Sequence, residues 1–407
     1  MENSTAYHVG QLVGILMFLL ITVGSVVFFF ISLFKAFSTR RTGWIVAASI
    51  SGLPVLLFVG LFLMGMVVGF TRSVVHARGT AAPDQAGNAT VSTPDAAPAR
   101  HASKPVGFFI PAMSRVDMVN DPKRNILYIT SGDSVLQYQL GSKQFLPPLI
   151  LGGDLRGIDI SPDNNVLAVA DAAGGNGRVR IHVVDLQTGK DSPASFTAEF
   201  QESGTYSVAF GADGQLWISS SMNGSGFLPM RKFNPVYHSF QRLQDVGQDT
   251  MLAASADRQS IAFAQANNSG GPYGRIAYRA TQLPKPMNAG SFLYEIGVSR
   301  DGSQLAVPGY NSTLLPGSAT PRLDEKKIIA AAYHPLRNYL FVSQAGTSLL
   351  SVYDTTTLSK VKELDLGDPF VWIGNHAYQT GRLKFSQDGK YVFCTVTGGI
   401  RCAETGL

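Results

Sequence analysis

Cysteine is nearly absent from this chain, with two residues in 407. There is no CxxC pair, no Gly-rich phosphate loop, no GxSxG elbow and no HExxH site. The usual signatures of redox dithiols, P-loop nucleotide enzymes, α/β-hydrolases and zinc proteases are therefore missing. Beyond residue 71 no segment sustains a 3.6-residue apolar period. The best helix candidate there, Asp324 to Tyr333, is short and broken by β-branched residues. Basic clusters are missing as well. The chain carries +5, but the seven basic and three acidic residues of the first 105 positions account for +4 of it. The remainder is close to neutral, so no nucleic-acid partner is expected.

What is present divides sharply along the chain. Val9 to Phe34 and Thr42 to Phe70 are uncharged, 26 and 29 residues long. Roughly 20 helical residues cross a hydrocarbon core about 30 Å thick. The reading is a transmembrane hairpin over residues 1–71, with spans at about 9–34 and 43–70. A cleaved signal peptide competes for the first stretch. However, its apolar region would be about 7–15 residues with positive charge ahead of it, and here Glu2 is the only charge that precedes. Lys35, Arg40 and Arg41 lie between the spans. Positive loops stay cytoplasmic, which places everything after residue 71 outside, although Arg72 and Arg78 pull the other way. The expected location is the inner membrane of a bacterium, multi-pass, with the large domain on the periplasmic side.

Gly10 with Gly14, and Gly65 with Gly69, form small-xxx-small pairs that let helices approach closely in lipid. They pack the two hairpin helices together or pack against other subunits. Residues 72–105 are rich in Ala, Pro, Thr and Ser, with almost no large apolar side chains. Such a stretch cannot bury enough surface to fold and reads as a linker.

From 106 to 407 the pattern is all-β. Short apolar runs alternate with Gly, Asn, Asp, Ser and Pro. A turn phrase recurs as DPKRN at 121, SPDNN at 161, GADGQ at 211, SADRQ at 255, SRDGS at 299, HPLRN at 334 and SQDGK at 386. The mean spacing is about 44 residues, the length of one four-stranded propeller blade. The expectation is a seven-bladed β-propeller, with a degenerate blade where 299 and 334 stand close together. Only two strands follow the last turn phrase, near Tyr391–Val396 and Ile400–Ala403. Val106 to Pro111 can supply the fourth strand of that blade and close the ring, which removes open sheet edges.

The segments Leu350-Ser351-Val352-Tyr353-Asp354-Thr355-Thr356-Thr357, Phe385 to Phe393 and Val183 to Lys190 resemble the YVTN-type, WD40-like propeller repeat. The resemblance covers about 106–407. It implies the fold and little else, since these repeats are structural and occur in lactonases, quinoprotein relatives, surface proteins and scaffolds.

Candidate site residues are few. Cys394 and Cys402 flank Thr397-Gly398-Gly399. A three-residue turn would set them opposite each other and permit a disulfide; a two-residue turn would offset them and forbid it. His182, His238, His334 and His376 are scattered without metal spacing, and no metal or cofactor is expected. His334 reads as part of its turn, and His182 as a core or face residue. Two insertions exceed the usual loop length. Met222 to Tyr237 carries Phe227, Met230, Arg231 and Phe233; Asp368 to Tyr378 carries Phe370, Trp372, His376 and Tyr378. They either plug gaps between blades or contact a partner. The expected role is a non-catalytic accessory subunit or docking scaffold of a membrane complex. The alternatives are a propeller enzyme, lactonase-like or quinoprotein-type, working at the mouth of the central channel, and a sensor of small ligands or cell-wall material.

Overall fold

A computed structural model of the chain describes residues 105–265, 273–278, 287–288, 295–308, 313–314, 322–323, 328–370 and 381–407. The hairpin with Gly10, Gly14, Gly65 and Gly69, and Trp372, His376 and Tyr378, lie outside the described residues. Among the described residues every regular element is a strand. They form seven antiparallel sheets of four strands each, the blades of a β-propeller. Blades 1 to 6 follow in chain order, with innermost strands Arg115–Asp121, Leu155–Ile160, Glu202–Phe210, Met251–Ala254, Gly297–Val298 and Ile328–Tyr333. Blade 7 starts with Leu383–Phe385 and takes its outermost strand, Phe108–Pro111, from the other end of the domain. Phe108 pairs with Cys402 and Ile110 with Ile400. Blade 5 is the degenerate one: three of its strands are two residues long.

The turn phrases join the first strand of a blade to the second, and their chemistry explains why they recur. In blade 2, Ser161 Oγ donates to Asp163 Oδ1 at 2.5 Å and accepts the Val166 amide at 2.9 Å, while Asp163 Oδ1 accepts the Asn165 amide at 3.1 Å. The same clasp forms at Ser255 and Asp257, Ser299 and Asp301, and Ser386 and Asp388. These are side chains capping their own turns. In blade 6 His334 takes over: its Nδ1 accepts the amides of Leu336 and Arg337, both at 3.1 Å. Its Nε2 therefore carries the proton and donates to the Gly389 carbonyl of blade 7 at 3.1 Å. Burial lowers its pKa and keeps the ring neutral.

Apolar residues fill seven seams, one between each pair of neighbouring blades. The seam between blades 7 and 1 joins Ile110, Phe393, Ile400 and Cys402 to Met118, Leu127 and Ile129. The innermost strands run so close that a Cβ on Gly297 would stand 2.4 Å from the Ala331 carbonyl oxygen. Only glycine fits there.

One expectation is overturned and two open points are decided. Ile328–Tyr333, in the best helix candidate, is a buried inner strand. The first insertion is no loop either: Phe227–Asn234 is a full strand paired on both sides. The cysteines do not face each other. Val396 pairs with Gly399 across a two-residue turn at Thr397-Gly398, with Gly398 at φ +76°, so Cys394 pairs with Arg401 and Cys402 with Phe393. The offset of one residue sends the two thiols to opposite faces of the sheet. Cys394 lies in the seam with blade 6 and Cys402 in the seam with blade 1, both free and buried. Burial pushes the Cys402 thiol up to about 12 and the Cys394 thiol up as well.

Thiol titration of non-reduced protein in denaturant should therefore find two free thiols, and none in the folded state. Ile110→Ala, at the closure, should cost about 2–5 kcal/mol by denaturant melting.

Candidate functional site

The candidate site is the axial channel, because it is the one place to which all seven blades contribute side chains. Its cavity of about 460 Å³ is lined from every blade, and its charged residues are Asp117, Asp159, Asp257, Arg258, Glu295 and Lys384. Four sit on or beside innermost strands, and Asp257 and Arg258 come from the turn phrase of blade 4.

Part of this charge is spent on holding blades together. Arg258, with φ +58°, reaches past blade 3 to Asp159 in blade 2, with Nη1 at 2.9 Å and Nη2 at 3.2 Å, and also donates to the Phe210 carbonyl at 3.2 Å. Asp159 also accepts the Phe210 amide at 2.7 Å. Burial opposes the Arg258 charge, but Asp159 outweighs it and holds the guanidinium above its ordinary pKa. Asp257 is engaged in its own turn through Ser255.

The rest is held less tightly. Glu295 is buried, and its Oε1 accepts the amides of Gly381 at 2.9 Å and Arg382 at 3.1 Å. Gly381 has φ +101°, and a Cβ there would stand 2.4 Å from Asp117 Oδ1, so glycine is what brings this amide to Glu295. Glu295 Oε2 is buried without a partner among the described residues. Burial raises the carboxyl to about 7, against the charges of Arg382 and Lys384, which pull it down. Asp117 accepts the amides of Met118 at 2.8 Å and Ile158 at 3.3 Å. Lys384 Nζ stands 3.8 Å from Asp117 Oδ1, beyond hydrogen-bond length.

A second cluster lies in blade 2. Asp171 accepts the amides of Asp154 and Ala173, both at 2.8 Å, and Arg180 Nε at 2.5 Å; His182 Nδ1 is 2.7 Å from Asp191 Oδ2. Burial alone would raise the Asp171 pKa, but these partners and His182 bring it to about 2. Burial opposes the His182 charge, yet its bonds to Asp171 and Asp191 raise its pKa overall. His182 Nε2 stands 3.6 Å from Asp171 Oδ2 and has no hydrogen-bond partner among the described residues.

The sequence-level candidates fall elsewhere. Met230, Arg231 and Phe233 are buried at 0%, 5% and 1% exposure, so these three side chains offer a partner almost no surface. Arg231 forks onto Glu202, Nη1 to Oε1 at 2.5 Å and Nη2 to Oε2 at 2.8 Å, with its guanidinium 4.0 Å from the Phe196 ring centroid. Phe370 is buried in the seam between blades 6 and 7. Phe227 alone of this set is exposed. Sequence reasoning missed Glu295, Asp117 and Lys384, which stand far apart in the chain and carry no shared motif. Among the described residues, no group of three or more His, Cys, Asp or Glu could hold a metal ion.

Neither a protein-family model nor the sequence of a curated protein matches the chain. Solved structures do resemble it. A chain of hydrazine synthase from Kuenenia stuttgartiensis is 14% identical with a TM-score of 0.53, covering 76% of this chain and 99% of that one. A chain of a mitotic checkpoint complex is 12% identical with a TM-score of 0.56, covering 81% of this chain and 99% of that one. At such identities the likeness shows the propeller fold alone.

The raised Glu295 carboxyl fixes a sign. Its pKa is about 7 in the folded state against an ordinary 4.5. The folded state then holds more protons between these values, so its stability falls as pH rises through about 7. His182, raised from 6.5, acts in the same direction, stabilising at low pH and losing that contribution as pH rises through its folded value. Melting curves from pH 5 to 8 should fall for the parent. Glu295→Gln should flatten them, gaining up to about 3 kcal/mol on the parent at pH 8, with the His182 slope remaining.

Proposed function

We propose that this protein is a membrane-anchored propeller of the YVTN or WD40-like kind, serving as a non-catalytic docking subunit of a membrane complex on the extracytoplasmic side. The observation that carries the reading is an arc of exposed apolar side chains. Met113 is 83% exposed, Ile150 68%, Phe200 81% and Phe227 58%. Met113 and Phe200 lie on connections from the outermost strand of one blade to the innermost strand of the next. Ile150 ends an outermost strand, and Phe227 opens the third strand of blade 3. In antiparallel four-stranded blades these positions all belong to the same end. The arc therefore runs along one face from the junction of blades 7 and 1 to blade 3. Exposed apolar side chains gathered on one face are the kind of feature found at protein contact sites. The two uncharged runs before residue 71 support an anchor. The basic residues between them support the orientation.

The second reading, an enzyme with its site in the channel, is favoured by the charged lining. Against it, Asp159 and Arg258 are spent on each other, and Asp171, His182, Glu202 and Arg231 lie in closed pairs away from the axis. Ser255 stands beside Asp257 on the channel wall, 2.6 Å from Oγ to Oδ1, but both are engaged in the turn of blade 4, where Ser255 Oγ also accepts the Ser260 amide.

Gentle solubilisation from the native membrane and isolation through a C-terminal tag should retain membrane proteins in fixed ratio. Phe200→Ser with Phe227→Ser should release them while leaving the melting temperature within a few degrees of the parent. A lone chain from the parent membrane would overturn the reading.

A further inference from the structure

His182 is buried at 2% exposure and stands between two carboxylates. It lies on the third strand of blade 2, Arg178–Asp185, opposite Val169 of the second, Val166–Gly175. Asp171 belongs to that second strand, and its Oδ2 is 3.6 Å from Nε2. Asp191 belongs to the connection leading to the outermost strand, and its Oδ2 is 2.7 Å from Nδ1. A contact of 2.7 Å with a carboxylate oxygen needs a proton on Nδ1. A neutral ring has that one proton only, and Nε2 then turns a lone pair on the Asp171 carboxylate. The charged ring carries a proton on each nitrogen and serves both acids. The geometry suits the imidazolium and works against the neutral ring.

The charged neighbours are few. Asp171 also accepts Arg180 Nε and the amides of Asp154 and Ala173, and Asp154 is itself paired with Arg156. This face of blade 2 is turned to blade 1, which offers Ile126, Tyr128, Val135, Leu149 and Leu151. Burial holds the Tyr128 hydroxyl at about 12, so it stays neutral. Asp191 in turn fixes the approach to the outermost strand, Ala194–Thr197, four residues long. Its Oδ1 accepts the Val183 amide at 3.2 Å, and the next amide, of Ser192, donates to the Val183 carbonyl at 2.9 Å. The strand runs on into the turn that carries Phe200, 81% exposed. A short edge strand of this kind opens locally long before the domain unfolds.

We propose that His182 is a proton-operated clasp: the charged ring ties Asp191 to Asp171, fastening the outermost strand of blade 2 and the Phe200 turn beyond it, and loss of the proton releases them. The use of the clasp in presenting Phe200 to a partner rests on the docking reading; the clasp itself does not. Burial opposes the charge, but the two carboxylates outweigh it and raise the ring above its ordinary 6.5. The clasp therefore holds at low pH and opens as pH rises through the raised value.

The test is amide exchange of the full-length protein in detergent, read by mass spectrometry at pH 6 and pH 8.5 and corrected for the pH dependence of exchange itself. Protection over 190–201 should fall at least tenfold between the two, while the inner strand Glu202–Phe210 keeps its protection. Exchange of the imidazole C2 hydrogen should give His182 a midpoint above 6.5. His182→Gln carries no charge and should show the released level at both pH values. Asp191→Asn, at a partly exposed position, should lower the midpoint of His182 and remove the fall over 190–201. The proposal is overturned if 190–201 is protected alike at both pH values, if His182→Gln keeps the fall, or if the loss spreads evenly over all blades. The exchange is read on the chain alone, so a missing partner bears on the docking reading and not on the clasp.

Discussion

Seven apolar seams hold this domain together, and the last of them, between blades 7 and 1, forms only when the ring is closed. Each blade buries both faces of its sheet, so each depends on two neighbours for cover. An open row of blades would leave one face bare at each end, together with an unpaired edge. Recruiting Phe108–Pro111 as the last strand of blade 7 solves both problems, because Ile110 packs into the seam that blade 7 shares with blade 1. Pro111 stands at the outermost strand, where the missing amide costs nothing to the ladder.

The seams leave polar groups two destinations. Inside the blades they must be paired, since a buried charge without a partner costs more than its removal. Glu202 with Arg231 and Asp171 with Arg180 and His182 follow that rule. On the axis the walls do not meet, and groups can stay partly unmatched. Glu295 is the case in point: one oxygen is fastened by two backbone amides, while the other is buried and open. The backbone of blade 7 positions this carboxyl through one oxygen only.

Much of the fold was legible because its determinants are local. A Ser two residues before an Asp or Asn-rich turn writes its own hydrogen bonds, so the phrase recurs wherever that turn is needed. Ring closure was legible by counting strands. The cysteines turned on one residue of register: a turn at Thr397-Gly398 rather than one residue longer put the thiols on opposite faces. The strand Phe227–Asn234 was hidden by its composition. Pro229, Arg231 and Lys232 read as loop, yet Arg231 is neutralised by Glu202 and Lys232 lies over Trp217 with Asp213 at 3.1 Å. The channel was not legible, because Asp117, Glu295 and Lys384 come from three blades and meet only once the ring exists.

The residues that give the fold and those that give the proposed functions are therefore different sets. The turn serines, aspartates and His334 bond to their own blades or to the next, and the seam residues face each other. Met113, Ile150, Phe200 and Phe227 belong to neither: they are large, apolar and turned to solvent, where neither the turns nor the seams require them. Glu295 belongs to neither as well. One of its oxygens fastens two amides of blade 7, while the other, buried without a partner among the described residues, is not used by the ring. These four side chains lie on one face and Glu295 lies on the axis, two separate places.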